Sequence, residues 1–469
     1  MSATRIGTSH PSSARRLVLR RIGAAILGTG ITLITLIALL WAGAAAAPTE
    51  ALMVQDGGSA ASVPSSDGPI VVAVALGRSG TDAADALAPY EVFARSTHFS
   101  VYTVAATSDP VPLNGGLSVL PTYTFEDAAI GAAPAPDVVV VPAVNDPAGD
   151  DETELRDYVV DGARSGAQIL GVCAGSRVLA ATGLLDGHRA TSHWSRIIEL
   201  EESNPDVTWV TGQRYVQDRG ITTSAGVTSG IPAALRLMQQ LAGDTEAERV
   251  GADMAYPSWS LDASTAIPVQ RFAPTDLGVG LNAVLPWFRP TVGVALAEGV
   301  GEVDASAPFE VAGYSSATTA LPVGAGSSIT TAHGLVLLTA PTSAAPSSLD
   351  RVLVASSGDP EERASLDRWA RGQGIPSSTL RTSSGHGGFD AALADLAAHG
   401  GPGLADSTAK MLDYPARSAE QAQLWVPPRP GALLVVACAL ALTAGLTPLL
   451  VRVRQRRRPA GHSVRMHSA

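Results

Sequence analysis

Cysteine is nearly absent from the chain. Its 469 residues hold two, Cys173 and Cys438, and the second lies inside an apolar run near the C-terminus. The body of the protein therefore has no thiol pair, which excludes a disulfide framework and any C-x-x-C redox or zinc motif. H-E-x-x-H and Walker A patterns are also missing. His188, His386 and His399 are isolated and suit surface positions better than metal ligation. Ser383-Ser384-Gly385-His386 has no carboxylate pattern beside it and reads as a loop. No cofactor is expected. Charged residues make up only 16% of the chain and hydrophobic residues 46%, which excludes a disordered polyelectrolyte. A single thiol in the body is either an inert core residue or a residue that is used.

The net charge is -11 and unevenly spread. Arg5, Arg15, Arg16, Arg20 and Arg21 crowd the start of the chain, and Arg452, Arg454, Arg456, Arg457, Arg458 and Arg465 its end, with no acid in either tail. The stretch between is strongly acidic, which repels phosphate backbones and argues against a nucleic-acid partner. Residues 22–47 and 431–451 are uncharged and apolar. Each is long enough to cross about 30 Å of hydrocarbon. With arginines outside both runs, the positive-inside rule places both tails in the cytoplasm and the body outside a cell membrane. Small residues before Pro48 offer A-x-A cleavage sites, so a signal peptide is the alternative for the first run.

Between the tails, apolar runs alternate with helical patterns. Residues 70–76, 99–105, 137–142 and 168–172 read as strands, and 85–95 and 153–165 as helices. That alternation implies βαβ units and a parallel sheet. The pattern then repeats. Residues 85–93 (DALAPYEVF) match 304–312 (DASAPFEVA), and 137–147 (DVVVVPAVNDP) match 350–360 (DRVLVASSGDP). Residues 223–235 also match 382–393, and the order is the same in both halves, the mark of a duplication. The second copy has no counterpart of the segment around Cys173 and His193. It should keep a sheet but not the chemistry, and pack its open face against the first copy.

Residues 171–187 (GVCAGSRVLAATGLLDG) carry a strand into Cys173, then small residues, then a helix pattern. This is the pattern of a nucleophile elbow, a strained turn that exposes a side chain at a helix N-terminus. There the helix dipole is expected to favour the thiolate.

Together with residues 178–194 (VLAATGLLDGHRATSHW), 214–238 and 86–93, the elbow resembles the DJ-1/PfpI superfamily, a class I glutamine amidotransferase-like group. It is closest to the subgroup of isocyanide hydratases and the ligand-like domains of AraC-type regulators. The resemblance implies a flavodoxin-like three-layer α/β/α sandwich with a parallel sheet. It places Cys173 on the family nucleophile, Asp85 on the carboxylate that meets its sulfur, and His193 near the site as an auxiliary. His193 reads equally well as a structural histidine. Glu91 matches the family's PYEVF pattern and reads as a supporting partner. The backbone amide of Ala174 is an oxyanion donor. Ala143-Val144 stands where members often have Gly-Gly, which puts the second donor in doubt. Ala174 also replaces the histidine of protease-like members. The AraC-type helix-turn-helix of the regulators is not found after the second copy.

These readings divide the chain into a basic tail (1–21), a transmembrane helix or signal peptide (22–47), a linker (48–68), a DJ-1/PfpI-like α/β domain (69–258), a linker (259–289), a degenerate repeat (290–425), a transmembrane helix (426–451) and a basic tail (452–469). The expected protein is a membrane-anchored, extracytoplasmic cysteine-dependent hydratase or amidohydrolase for a small C–N compound. The alternative is a non-catalytic small-molecule sensor or scaffold using the same pocket. In either case the two copies would form an internal pseudo-dimer.

Overall fold

Four consecutive valines, Val138–Val141, are all fully buried, with alternate side chains entering two different apolar clusters. A strand covered on both faces has no polar side to alternate with, which explains the unbroken apolar run. In the computed structural model, which describes residues 70–346, 348–380 and 388–415 with isolated positions between 432 and 439, this strand lies at the centre of the first of two sheets.

The first sheet contains β1 (Ile70–Ala75), β2 (Phe99–Ala105), β5 (Tyr123–Thr124), β6 (Val138–Val141), β7 (Gln168–Gly171), β10 (Tyr215–Asp218) and β11 (Ile221–Ser224), in the order β10-β11-β7-β6-β1-β2-β5. Every neighbouring pair is parallel except the β10–β11 hairpin. Helix α1 (Ala83–Ala94) follows β1, α2 (Thr153–Arg164) precedes β7, and α3 (Gly230–Ala242) and α4 (Asp244–Met254) follow β11. The helix expected at 85–95 thus begins two residues earlier, because Asp82 caps it and accepts the Asp85 N–H.

The second sheet contains β12 (Thr291–Ala295), β13 (Thr319–Gly324), β16 (Ala340–Pro341), β17 (Arg351–Val354) and β18 (Ser377–Thr379), all parallel, in the order β16-β13-β12-β17-β18. Its helices are α5 (Glu302–Ser315), α6 (Pro360–Gly372), α7 (Gly388–Gly400) and α8 (Pro402–Met411). No hairpin like β10–β11 extends it among the described residues. Within the stretch expected as a linker, Leu277–Val284 is helical.

The described residues from Ile70 to Ala283 and from Arg289 to Pro415 belong to one compact unit. Inside it, a single apolar cluster takes side chains from both sheets, including Val72, Leu87 and Phe93 from the first half and Val294, Phe309 and Leu393 from the second. The outer faces of the two sheets have clusters of their own. The hairpins β3–β4 (Val111–Leu113 and Leu117–Leu120) and β14–β15 (Ser328–Thr330 and Val336–Leu338) join edge to edge. Leu120 and Val119 pair antiparallel with Val336 and Leu337.

Helices α1 and α5 also cap each other. Glu91 of α1 accepts the Val303 N–H at 2.6 Å, and Glu310 of α5 accepts the Ala84 N–H at 2.8 Å. The two glutamates hold matching places in the repeat, so the contacts are reciprocal, as across a two-fold axis. Each carboxyl satisfies an otherwise unpaired N–H of the opposite helix. Gly115, at φ +85, lets the chain pass the Phe309 carbonyl, where a Cβ would collide.

The expected architecture is corrected at its flanks. Among the described residues, no helix is long and apolar enough to cross a membrane. The membrane anchoring and the extracytoplasmic placement that depended on two such helices are therefore withdrawn. The tails, residues 22–47 and 48–68, the loop at Ser383–His386 and all but isolated positions of 426–451 lie outside the described residues.

Candidate functional site

The elbow forms where β7 ends. Cys173 has φ 55, a left-handed conformation that a residue with a Cβ seldom adopts. The chain then makes one 3₁₀ turn, Cys173–Gly175, and continues as the helix Ser176–Ala181. Several bonds hold the strained residue. Its N–H donates to Ser224 Oγ at 3.1 Å, and its carbonyl accepts from Ser176 Oγ at 3.2 Å and Ser192 Oγ at 3.4 Å. At Gly175 a Cβ would run into the Val141 carbonyl, so a side chain there is incompatible with the turn.

Asp85 comes from the first turn of α1 and is completely buried. Its Oδ2 accepts the Ala143 N–H at 3.1 Å, and its carboxyl lies beside the Cys173 thiol. Oδ1 is buried without a hydrogen-bond partner. Burial raises the Asp85 pKa well above the usual carboxylate value, and the nearby Asp82 charge adds to the rise. Both causes favour the protonated carboxyl over the carboxylate.

The sulfur differs from expectation in exposure and in charge: the elbow was expected to expose it, and it lies in the apolar cluster between the sheets. Cys173 is 1% exposed. Burial, then the acids Asp85 and Asp82, push its thiol well above the ordinary cysteine value. The Ala174 N–H, directed at the sulfur, works the other way but is outweighed. The thiolate expected from the helix terminus is corrected to a neutral thiol: desolvation and like charge exceed the helix-end effect, worth about 0.3–1 kcal/mol.

At Ala143-Val144, where the second oxyanion donor was in doubt, the Ala143 N–H is engaged by Asp85. Val144 is a buried side chain that packs over Gly77.

His193 is buried, and both of its ring nitrogens have partners. Nε2 lies 2.8 Å from the Met411 carbonyl and Nδ1 2.7 Å from Ser195 Oγ. A carbonyl only accepts, so this pattern assigns the proton to Nε2 and the lone pair to Nδ1. Burial lowers its pKa to about 4. The imidazole thus links the elbow region to α8 rather than to the thiol. Glu91 also lies away from the sulfur, paired with Arg95 at 2.5 Å and capping α5.

Three further groups gather at the site. Asp82 is the N-cap of α1, and Tyr314 Oη donates to its Oδ2 at 3.0 Å. The Glu310 carboxyl lies beside Asp82, its Oε1 accepting the Ala84 N–H at 2.8 Å. An N-cap signal could have singled out Asp82. The identity of Glu310 with Glu91 in the repeat could have singled out Glu310. Nothing local marks Tyr314.

A family model described as the DJ-1/PfpI family matches residues 71–240. The isonitrile hydratase of Pseudomonas putida is 36% identical over 175 residues, which cover 37% of this chain and 72% of that enzyme. The HTH-type transcriptional regulator CdhR of Pseudomonas aeruginosa is 34% identical over 149 residues, 32% of this chain. The chain spans 43% of that regulator's length. Among solved structures, a THiJ/PfpI family protein from Pseudomonas syringae is 30% identical, with 47% of this chain and 89% of that one covered and a TM-score of 0.37. With transcriptional regulators among such relatives, the exclusion of nucleic acid drawn from acidic charge does not extend to similar proteins at large.

Proposed function

The chain belongs to the DJ-1/PfpI family, and from that membership we propose that it is a cysteine-dependent hydratase of a small C–N compound, with Cys173 as nucleophile and Asp85 as its proton donor. The observation that carries the reading is a buried thiol on the elbow beside a fully buried carboxyl group from α1, both shifted by burial toward their neutral forms. Acyl transfer calls for a thiolate and a free oxyanion hole. Hydration of an isonitrile needs neither. Its terminal carbon is basic and is activated by a proton.

In the proposed step, Asp85 gives its proton to that carbon, Cys173 sulfur adds to the same carbon, and the thiol proton returns to Asp85. The C–N triple bond becomes a double bond. Water then adds to the carbon and the S–C bond breaks. The sulfur recovers a proton, and an N-substituted formamide leaves. Similarity to an isonitrile hydratase supports the substrate class. In this reading residues 69–258 form the chemical domain and residues 290–425 stand where relatives place a second subunit, an internal pseudo-dimer. The reciprocal caps Glu91–Val303 and Glu310–Ala84 support it.

A second reading, a small-molecule sensor, draws on one observation: the Ala143 amide is already bonded to Asp85, so a ligand could be held without turnover. Incubation of the full chain with a simple alkyl isonitrile separates the two, with the formamide followed by mass spectrometry. Turnover by the wild type that disappears in Cys173→Ser and falls in Asp85→Asn by about 10²–10⁴ supports the hydratase. Binding without formamide supports the sensor.

A further inference from the structure

The two copies meet at the site itself. Asp82 of the first copy and Glu310 of the second are 3% and 2% exposed, and both carboxyl groups cap the first turn of α1, Asp82 accepting the Asp85 N–H and Glu310 the Ala84 N–H, which sets them side by side. Two carboxyl groups buried side by side do not both ionise, so one of them keeps a proton. The surrounding donors decide where it resides. Asp82 also receives the Tyr314 hydroxyl at 3.0 Å and the Asp85 N–H at 3.5 Å. Glu310 receives only the Ala84 N–H at 2.8 Å among the bonds of the described residues that stabilise its charge. Asp82 is the better supported anion, which leaves Glu310 as the acid.

We propose that Glu310, from the second copy, holds this proton and donates it in a hydrogen bond to Asp82, and that with Tyr314 it forms a positioning pair that keeps Asp82 anionic and Asp85 a proton donor beside Cys173. The second copy is then a working part of the Cys173 site, although it lacks a cysteine of its own in the described residues. The inference holds whatever Cys173 acts on, since it concerns where protons lie in the resting protein.

The groups that face Asp82 come from three elements: Asp85 from its own helix, Glu310 and Tyr314 from α5, and Cys173 from the elbow.

Infrared spectroscopy of the full chain at neutral pH reads the protons directly, because a protonated carboxyl has a C=O band apart from that of carboxylate. With carboxyl-¹³C glutamate incorporated, one such band is expected to shift, and Glu310→Gln, which keeps a donor to Asp82, removes it. Asp82→Asn leaves the glutamate band present. Tyr314→Phe moves it, since Asp82 loses a donor and pulls harder on the shared proton. The proposal is overturned if the labelled glutamate gives no protonated band, or if Asp82→Asn and not Glu310→Gln removes one. The labelling arm uses the unmutated protein, so a variant that does not fold leaves the test intact.

Discussion

Acid should weaken the fold through His193, and the size of the effect can be worked from its surroundings. The ring is buried and neutral, with Nε2–H on the Met411 carbonyl and Nδ1 facing Ser195 Oγ. Its pKa is about 4 in the folded chain against 6.5 for a free histidine. Below 6.5 the unfolded chain binds a proton that the folded chain refuses, so stability rises with pH across that window and is lost as pH falls. At about 1.4 kcal/mol per unit, the loss from this residue is about 2 kcal/mol by pH 5 and about 3 kcal/mol by pH 4.

Urea unfolding of the wild type and of His193→Gln at about pH 7.5 and about pH 5 isolates this contribution. Glutamine keeps a donor for Met411 but does not titrate. The raised acids Asp85 and Glu310 act in the opposite sense and cancel in the difference between the two proteins. The stability advantage of the wild type should shrink by about 2 kcal/mol on acidification. A difference that stays constant between the two pH values refutes the reasoning.

Other outcomes follow from the same geometry. Asp85 ionises only above its raised pKa, so turnover should fall on the alkaline side as the acid is lost, and a pH–rate profile should move when Asp82→Asn removes the neighbouring charge. Because raised carboxyl pKa values favour the folded state at low pH, Asp85→Asn should remove part of any stability loss seen as pH rises through the Asp85 pKa, measured by thermal unfolding. Gly175→Ala should cost about 3 kcal/mol or more, since its Cβ meets the Val141 carbonyl, with denaturant midpoints as the measure. Glu310→Ala should melt lower than Glu310→Gln, because alanine removes both the Ala84 cap and the group beside Asp82.

Much of the framework was legible because it is written locally. Strand β2 spans the expected 99–105, and the valine run at 138–141 has no other reading once both of its faces are covered. The elbow was legible because a left-handed residue needs small neighbours in sequence. What the sequence hid are meetings between distant residues. His193 and Met411 are 218 positions apart, Ala84 and Glu310 226, and Asp82 and Tyr314 232. The helix-terminus argument for a thiolate was sound locally and failed because burial beside three acids is a tertiary fact. The apolar runs at 22–47 and 431–451 suggested spans that no helix among the described residues supplies.

The S–H stretching band of Cys173, seen by Raman spectroscopy at neutral pH and assigned by its loss in Cys173→Ser, tests the neutral thiol–acid pair most directly. The account predicts that the band is present and that it moves in Asp85→Asn, which alters the carboxyl at the sulfur. A protein that lacks a Cys173 S–H band at neutral pH, or shows one indifferent to Asp85→Asn, would contradict it.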